Sequence, residues 1–232
     1  MLTKLTDDNI LYEDDDVIAV HKPSGTATQT KKAGEKDIYT LTMNYIASKY
    51  RANKQKAFPY VAIINRLDQP VEGIVLMAKN SKSASALSAS LQNNEISKYY
   101  IATIYKNGES LEAADFPRKG RLEDYIVKNQ NENTSAICDS NVDGAKKAVL
   151  EYEVKEETDK TALLDIHLIT GRHHQIRVQF AHAGYPLIGD LKYGNGDSIE
   201  YSHSINCSNV MLKAYKIEFN HPKTGQNIKI QL

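Results

Sequence analysis

Residues 63–79 read IINRLDQPVEGIVLMAK, from Ile63 to Lys79. An apolar run ends in Asn65-Arg66-Leu67-Asp68, a turn follows through Pro70 and Gly73, and a second apolar run reaches Met77. Two strand-like runs around a Pro/Gly break predict a buried hairpin or a strand-loop-strand unit. Arg66, Asp68 and Glu72 stand at the bend. Charges between buried strands are costly unless they are paired or used. The plain structural reading is an Asp68 that bonds turn amides beside an arginine that pairs with it. Taken alone, these residues favour that reading, and the rest of the chain shifts the balance.

Working outward, 232 residues suffice for a real core in one large domain or two small ones. A hydrophobic content of 41% and a charged content of 25% are ordinary for a globular protein. No apolar run is long enough to span a bilayer, and the N-terminus lacks a basic-then-apolar signal pattern, so the expected compartment is cytoplasmic. Cys138 and Cys207 give neither a disulfide framework nor metal-ligand spacing. With 29 basic and 29 acidic side chains the net charge is zero, unlike a nucleic-acid coat protein. Local charge still varies: Lys49, Arg51, Lys54 and Lys56 form a basic cluster, and residues 151–159 are net acidic. A solvated helix end is the plain reading of that cluster.

In chain order, residues 1–16 are polar and acidic. Val17 to Val20 predicts a short strand ending in the turn His21-Lys22-Pro23-Ser24-Gly25, and a long, candidate functional loop runs to about Lys36. Leu41, Tyr45, Ile46 and Tyr50 space a helix over 39–51. A second helix is expected over 81–93 with Ser81 as N-cap. Strands are expected at 99–105, 125–128, 135–138, 148–154, 161–170, 210–219 and 226–232. The segment 171–183 is ambiguous between strand and helix, and Thr170 in the capping position favours a helix over 172–183. The order suggests an α+β fold, a mostly antiparallel mixed sheet flanked by helices.

Three further polar concentrations stand beside the opening stretch. Lys22-Pro23-Ser24-Gly25 is a turn whose lysine either holds a phosphate or is solvated. Lys98-Tyr99-Tyr100 adjoins a strand, where a packed aromatic is the plain reading. Gly171-Arg172-His173-His174-Gln175-Ile176-Arg177 ends near His182. Basic residues at a helix start oppose the helix dipole, and such misfits gather at functional sites. The histidines lack a metal-binding pattern, and no serine sits in a nucleophile elbow.

With these motifs in view, the chain resembles the RluA type of pseudouridine synthase. That family's central motif, roughly H-R-L-D-x-x-T-S-G followed by an apolar run and A-K, corresponds to Asn65-Arg66-Leu67-Asp68 through Gly73 to Ala78-Lys79. Its lysine-proline-x-glycine motif corresponds to Lys22 through Gly25, and its lysine-x-tyrosine motif to Lys98 and Tyr100. The C-terminal signature G-R-x-H-Q-I-R…A-H-x-G-x-P…G-D-x-x-Y-G matches residues 171–194 almost throughout. Four motifs in the right order are specific where any one is weak. Departures are Asn65 for histidine, Val71-Glu72 for Thr-Ser, and His173 for threonine.

The resemblance implies a pseudouridine synthase catalytic fold with a central active-site cleft. It implies one catalytic domain over 1–232, with residues 1–10 a loosely ordered lead-in and without the small S4-like N-terminal RNA-binding domain of many relatives. The implied reaction turns uridines of structured rRNA or tRNA into pseudouridine with no cofactor and no metal. By the family pattern Asp68 is the essential acid, as nucleophile at the sugar or as base in an elimination. Arg177 would pair with it and keep it ionised, and Tyr100 would stack on the uracil and help remove its carbon-5 proton. Extrusion of the nucleotide falls to Arg66. Lys22, Lys79, Lys98, Arg172, His174 and Gln175 are the remaining candidate RNA contacts. A monomer binding RNA, with no membrane association, is expected. Rival classes are an RNA-binding module without catalysis and a glycoside hydrolase using Asp68 with Glu72. Glu72 has no assigned role.

Overall fold

A computed structural model describes residues 2–30, 34–54, 58–108, 110–112 and 116–232. The chain divides into two compact units, residues 1–96 with 214–232, and residues 97–213.

In the first unit, strand β1 (Ile10–Glu13) pairs antiparallel with β2 (Val17–Lys22). Val17 to Val20 are fully buried, so β-branched residues on both faces make β2 an interior strand. Helix α1 (Ile38–Ala52) is N-capped by Asp37, which accepts the Thr40 amide at 2.7 Å. Of the basic cluster, Lys49 pairs with Glu13 at 2.6 Å, and Lys56 lies outside the described residues. The opening stretch is a strand-loop-strand unit: β3 (Ala62–Ile63) and β4 (Glu72–Ala78) pair antiparallel, Ala62 with Ala78 and Ile63 with Met77. Along its other edge β4 pairs with β2, Lys22 opposite Gly73. Helix α2 (Ser81–Gln92) begins where expected, but Asn80 rather than Ser81 caps it, accepting the Ser83 amide at 2.9 Å.

Val17, Ala19, Ile74, Leu76 and Leu87 form this unit's core with Ile217, Phe219 and Ile230. Those last three come from β10 (Leu212–Asn220, in this unit from Ala214) and β11 (Asn227–Gln231), an antiparallel hairpin. Gly73 has φ +139°, and a Cβ there would stand 2.3 Å from the Ala214 carbonyl oxygen. Only glycine admits that approach. Leu5 is buried, and Thr6 and Asn9 bond each other across a 3-10 turn, Asp7–Asn9.

The second unit contains an antiparallel sheet in which β5 (Ser97–Tyr105), β9 (Thr161–Leu168), β8 (Lys146–Glu157), β6 (Lys119–Asn129) and β7 (Thr134–Cys138) are neighbours in that order. Clean alternation along β5 and β9 puts Tyr100, Ala102, Ile104, Leu164 and Ile166 among the buried residues. An aromatic cluster of Phe116, Tyr152, Phe180 and Tyr185 packs at centroid distances of 4.4–5.6 Å. Among the described residues two helices complete the unit, α3 (Gln175–His182) and α4 (Gly196–Ser204). Neither matches expectation fully. Helix α3 starts at Gln175 rather than 172, because His174 takes a left-handed conformation at φ 55° that no helix continues through. Thr170 is therefore not its cap. Helix α4 has no counterpart in the sequence reading.

Candidate active site

Asp68 belongs to the first unit, and Tyr100 and Arg177 belong to the second. The loop carrying Asp68 is fixed by groups that replace missing strand partners. Asn65 is buried; its Nδ2 donates to the Ile74 carbonyl at 3.1 Å and its Oδ1 accepts the Leu76 amide at 2.7 Å. It thus continues the β4 ladder where β3 has ended, a role an amide performs with one donor and one acceptor. Thr28 does the same at Leu67, donating to its carbonyl at 2.7 Å and accepting its amide at 3.1 Å. Leu67 and Val71 are buried pegs on either side of half-buried Asp68, and Arg66 is exposed.

Residues 22–25 brace the same loop. Gly25 donates its amide to the Gln69 carbonyl at 2.9 Å, and Ser24 its hydroxyl to the Pro70 carbonyl at 2.6 Å. Lys22 is 0% exposed, and its Nζ donates to the carbonyls of Thr26 (2.7 Å), Gln69 (3.1 Å) and Pro23 (3.3 Å). Burial pulls its ammonium down to about 8, against the opposing charges of Asp68 and Glu72. The expectation of a phosphate contact is corrected on this point: all three ammonium hydrogens are spent on backbone beside Asp68. Lys79 is likewise engaged inside the protein, paired with Glu13 at 2.9 Å. Glu72 gains a partner, His21, whose Nε2 lies 3.1 Å from its Oε1.

In the second unit, the turn 171–174 is locked from within. Gln175 Oε1 accepts the Thr170 hydroxyl at 2.7 Å and the Arg172 amide at 3.0 Å, while its Nε2 is buried with no partner among the described residues. His174 Nδ1 lies 2.7 Å from the Tyr193 hydroxyl, which also accepts the Ser135 amide at 2.8 Å. His174 and Gln175, expected at the RNA, are thus buried parts of this lock. His173, the departure from the family pattern, bonds Ser135 Oγ through Nδ1 at 2.9 Å.

Arg177 is buried and bidentate: Nε and Nη2 donate to the two oxygens of Asp190, each at 2.7 Å. Its guanidinium lies 5.1 Å from the Tyr193 ring centre. Asp190 Oδ1 accepts the Lys192 and Tyr193 amides as well. Gly189 makes the turn possible, since a Cβ there would stand 2.0 Å from the Asn209 carbonyl oxygen. Fork-to-fork pairing fixes the guanidinium plane. Asp190 and Tyr193 as holders of Arg177 and His174 were not anticipated from the sequence. The available signal was the G-D-x-x-Y-G end of the signature, Gly189 to Gly194. Tyr100 lies on the buried face of β5, opposite Ile166.

One cluster has metal-like composition, Asp14, Asp16 and His221. Its donors are already committed. Asp14 accepts the Asp16 and Val17 amides, the Tyr12 hydroxyl at 2.6 Å and His221 Nε2 at 2.8 Å. Burial would raise the Asp14 carboxyl, but these bonds hold it below the usual carboxylate range, and the same bond pushes Tyr12 up to about 12. His221 Nδ1 accepts two amides, from Lys223 and Thr224, so Nε2 carries the ring proton. A metal at Nε2 would require displacing it.

The family model described as RNA pseudouridylate synthase matches residues 16–182. A tRNA pseudouridine synthase C of Haemophilus ducreyi is 29% identical over 224 residues, covering 96% of this chain and 89% of that protein. A ribosomal large subunit pseudouridine synthase C of Rickettsia bellii is 32% identical over 212 residues, covering 90% of this chain and 65% of that protein. Its counterpart in Buchnera aphidicola is 28% identical, with 96% and 66% covered. The chain spans about two thirds of the length of these ribosomal relatives. Among solved structures, human RNA pseudouridylate synthase domain containing 4 aligns with a TM-score of 0.75 at 18% identity over 97% of this chain and 88% of that one. Human RNA pseudouridylate synthase domain containing 1 gives 0.72 at 19%, over 97% and 82%. At such identity these two establish the α+β fold. The match over residues 16–182 establishes more: the chain belongs to the RNA pseudouridylate synthase family.

Proposed function

We propose that this protein isomerises particular uridines of structured RNA, ribosomal or transfer, to pseudouridine, with Asp68 as the essential acid. In that reaction the bond from the sugar to uracil nitrogen 1 breaks, the base turns, and a bond forms to carbon 5. The carbon-5 proton leaves and the freed nitrogen 1 takes up a proton, so the product is an isomer and atoms and electrons balance with no redox partner. The observation that supports Asp68 most is the bracing of its loop. Thr28, Ser24 and Lys22 bond the backbone of Leu67, Pro70 and Gln69, and Asn65 ties the start of the loop to Ile74 and Leu76 of β4, which is the preorganisation a reacting carboxylate requires. The roles of Tyr100 at the base, of Arg177 as the cation the family pairs with its aspartate, and of Arg66 in extrusion carry over from the motif match. A cytoplasmic monomer is the corresponding working state, and no helix of the described residues is long and apolar enough to cross a membrane.

The test uses bulk tRNA and rRNA labelled with tritium at uridine carbon 5, from cells deleted for this protein. Wild type should release tritium and restore pseudouridine at mapped positions. Asp68→Asn should lower release by at least about 10³-fold while the thermal transition stays in place. Substantial turnover by that variant would remove Asp68 from the chemistry, and RNA binding without turnover by wild type would leave only a binding module.

A further inference from the structure

Most buried lysines and arginines among the described residues are compensated. Lys22 has three carbonyls, Arg177 has Asp190, and Lys106 has Glu157 at 3.3 Å; half-buried Lys79 likewise has Glu13. Lys98 differs. It is 7% exposed, yet among the described residues no hydrogen bond or ion pair reaches its Nζ. The charge felt most by Lys98 is a second cation, Arg172. Arg172 is exposed; its Nε donates to the Lys147 carbonyl at 2.8 Å, which orients the guanidinium, and it has no carboxylate partner among the described residues. Burial, and then Arg172, pull the Lys98 ammonium down to about 8. A buried charge without a counter-charge is costly, and with an exposed second cation acting on it, Lys98 is better suited to an anionic ligand than to any group of the protein.

We propose that Lys98 and Arg172 form a seat for one backbone phosphate of the substrate RNA, with Gly171 as its open side. This rests on the reading that the substrate is RNA. Gly171 has no side chain to cover the ammonium, and a Cβ built there would lie 3.6 Å from Lys98 Nζ. Strand alternation puts Lys98 on the same face of β5 as Tyr100, two residues on, hence about 7 Å apart. That separation suits the phosphate and base of a single nucleotide, so the seat would set the register of the uracil on Tyr100. A singly charged phosphodiester meets an ammonium and a guanidinium through charge-assisted hydrogen bonds. The seat also separates the candidate contacts: Lys22, Lys79, His174 and Gln175 hold the protein, and Lys98 with Arg172 meet the ligand.

The experiment takes the full chain, with bulk tRNA and rRNA from cells deleted for this protein as probe, and inorganic phosphate as a second probe. Lys98→Met should weaken RNA binding about tenfold and reduce the slope of log affinity against log salt by about one. Most of its loss in turnover should fall on KM. Without RNA it should melt above wild type, and matched-ionic-strength phosphate in place of chloride should raise the melting point of wild type more than that of the variant. Gly171→Ala, which keeps both charges but lays a methyl over the ammonium, should also weaken binding, and Arg172→Ala should add little once Lys98 is gone. A wild-type affinity and salt slope in Lys98→Met overturns the seat, as does a lower melting point or equal stabilisation by phosphate in both proteins. A Lys98→Met that forms pseudouridine at the wild-type KM defeats the seat and leaves the enzyme reading standing. RNA binding with the expected loss of slope but no pseudouridine from wild type defeats the enzyme reading and leaves the seat.

Discussion

Lys22 and Lys98 are both buried strand lysines, each beside a candidate catalytic residue in sequence motif or in space, and burial lowers both ammonium groups to about 8. What surrounds them is opposite. Lys22 closes β2 and fastens three carbonyls of the loops around Asp68, whereas Lys98 opens β5 and has no such partner among the described residues. Burial and a lowered proton affinity therefore do not separate a structural cation from a ligand-seeking one. The partner inventory does. A satisfied ammonium adds rigidity in the protein alone, and an unsatisfied one costs stability until its ligand arrives.

The largest effect should come from the third buried cation, which extends the comparison to a paired guanidinium. Asp190→Asn removes the bidentate partner of Arg177 and should destabilise the protein by about 4 kcal/mol, read as a fall in the urea midpoint at constant slope. A loss under about 1 kcal/mol would show that Arg177 is held chiefly by other groups. Next, Lys22→Met deprives buried carbonyls of their donor and should cost about 2 to 3 kcal/mol, lowering turnover with it because Gln69 adjoins Asp68. Its melting shift should be opposite in sign to that of Lys98→Met. Shifts of the same sign would dissolve the contrast between the two lysines.

The smallest effect is in pH dependence. Both lysines bind a proton less tightly when folded, so from pH 8 toward their ordinary value of 10.5 the unfolded chain carries more protons and stability should rise. Above about 10, Tyr12 and Tyr152, both raised to about 12, reverse the trend, because unfolded tyrosines ionise first. Lys98→Met should remove about 1 to 2 kcal/mol of the rise between pH 8 and 10 in urea titrations. An unchanged rise would place the titrating group elsewhere.

Much of the fold was legible because burial and periodicity coincide. The β-branched run 17–20, the helix over 38–52 and the alternation along β5 and β9 were read nearly as they stand. Helix α4 escaped because the residues it buries are Ser198 and Ser202, which make no apolar stripe. The outer half of β6 escaped because exposed charges such as Lys119, Arg121 and Glu123 occupy it. The motifs singled out Asp68 and Arg177 as candidates, but sequence spacing does not report who donates to whom. Asn65 looked like a departure and serves as a strand substitute, and Glu72 acquired His21 as a partner. The burial of Lys22 had a signal that went unused, since Ile18, Val20 and Lys22 alternate onto one face of β2.

The imidazole of His221 offers a way to watch the first unit during such tests. Its Nε2–H is directed at Asp14 and its other nitrogen is occupied by two amides, in a ring only 6% exposed. A proton so enclosed exchanges slowly with water and gives a proton resonance downfield of the backbone amides. That single line, visible without isotopic labelling, would tell whether a substitution near Asp68 has disturbed only its loop or has loosened the turns that join β1 to β2 and β10 to β11.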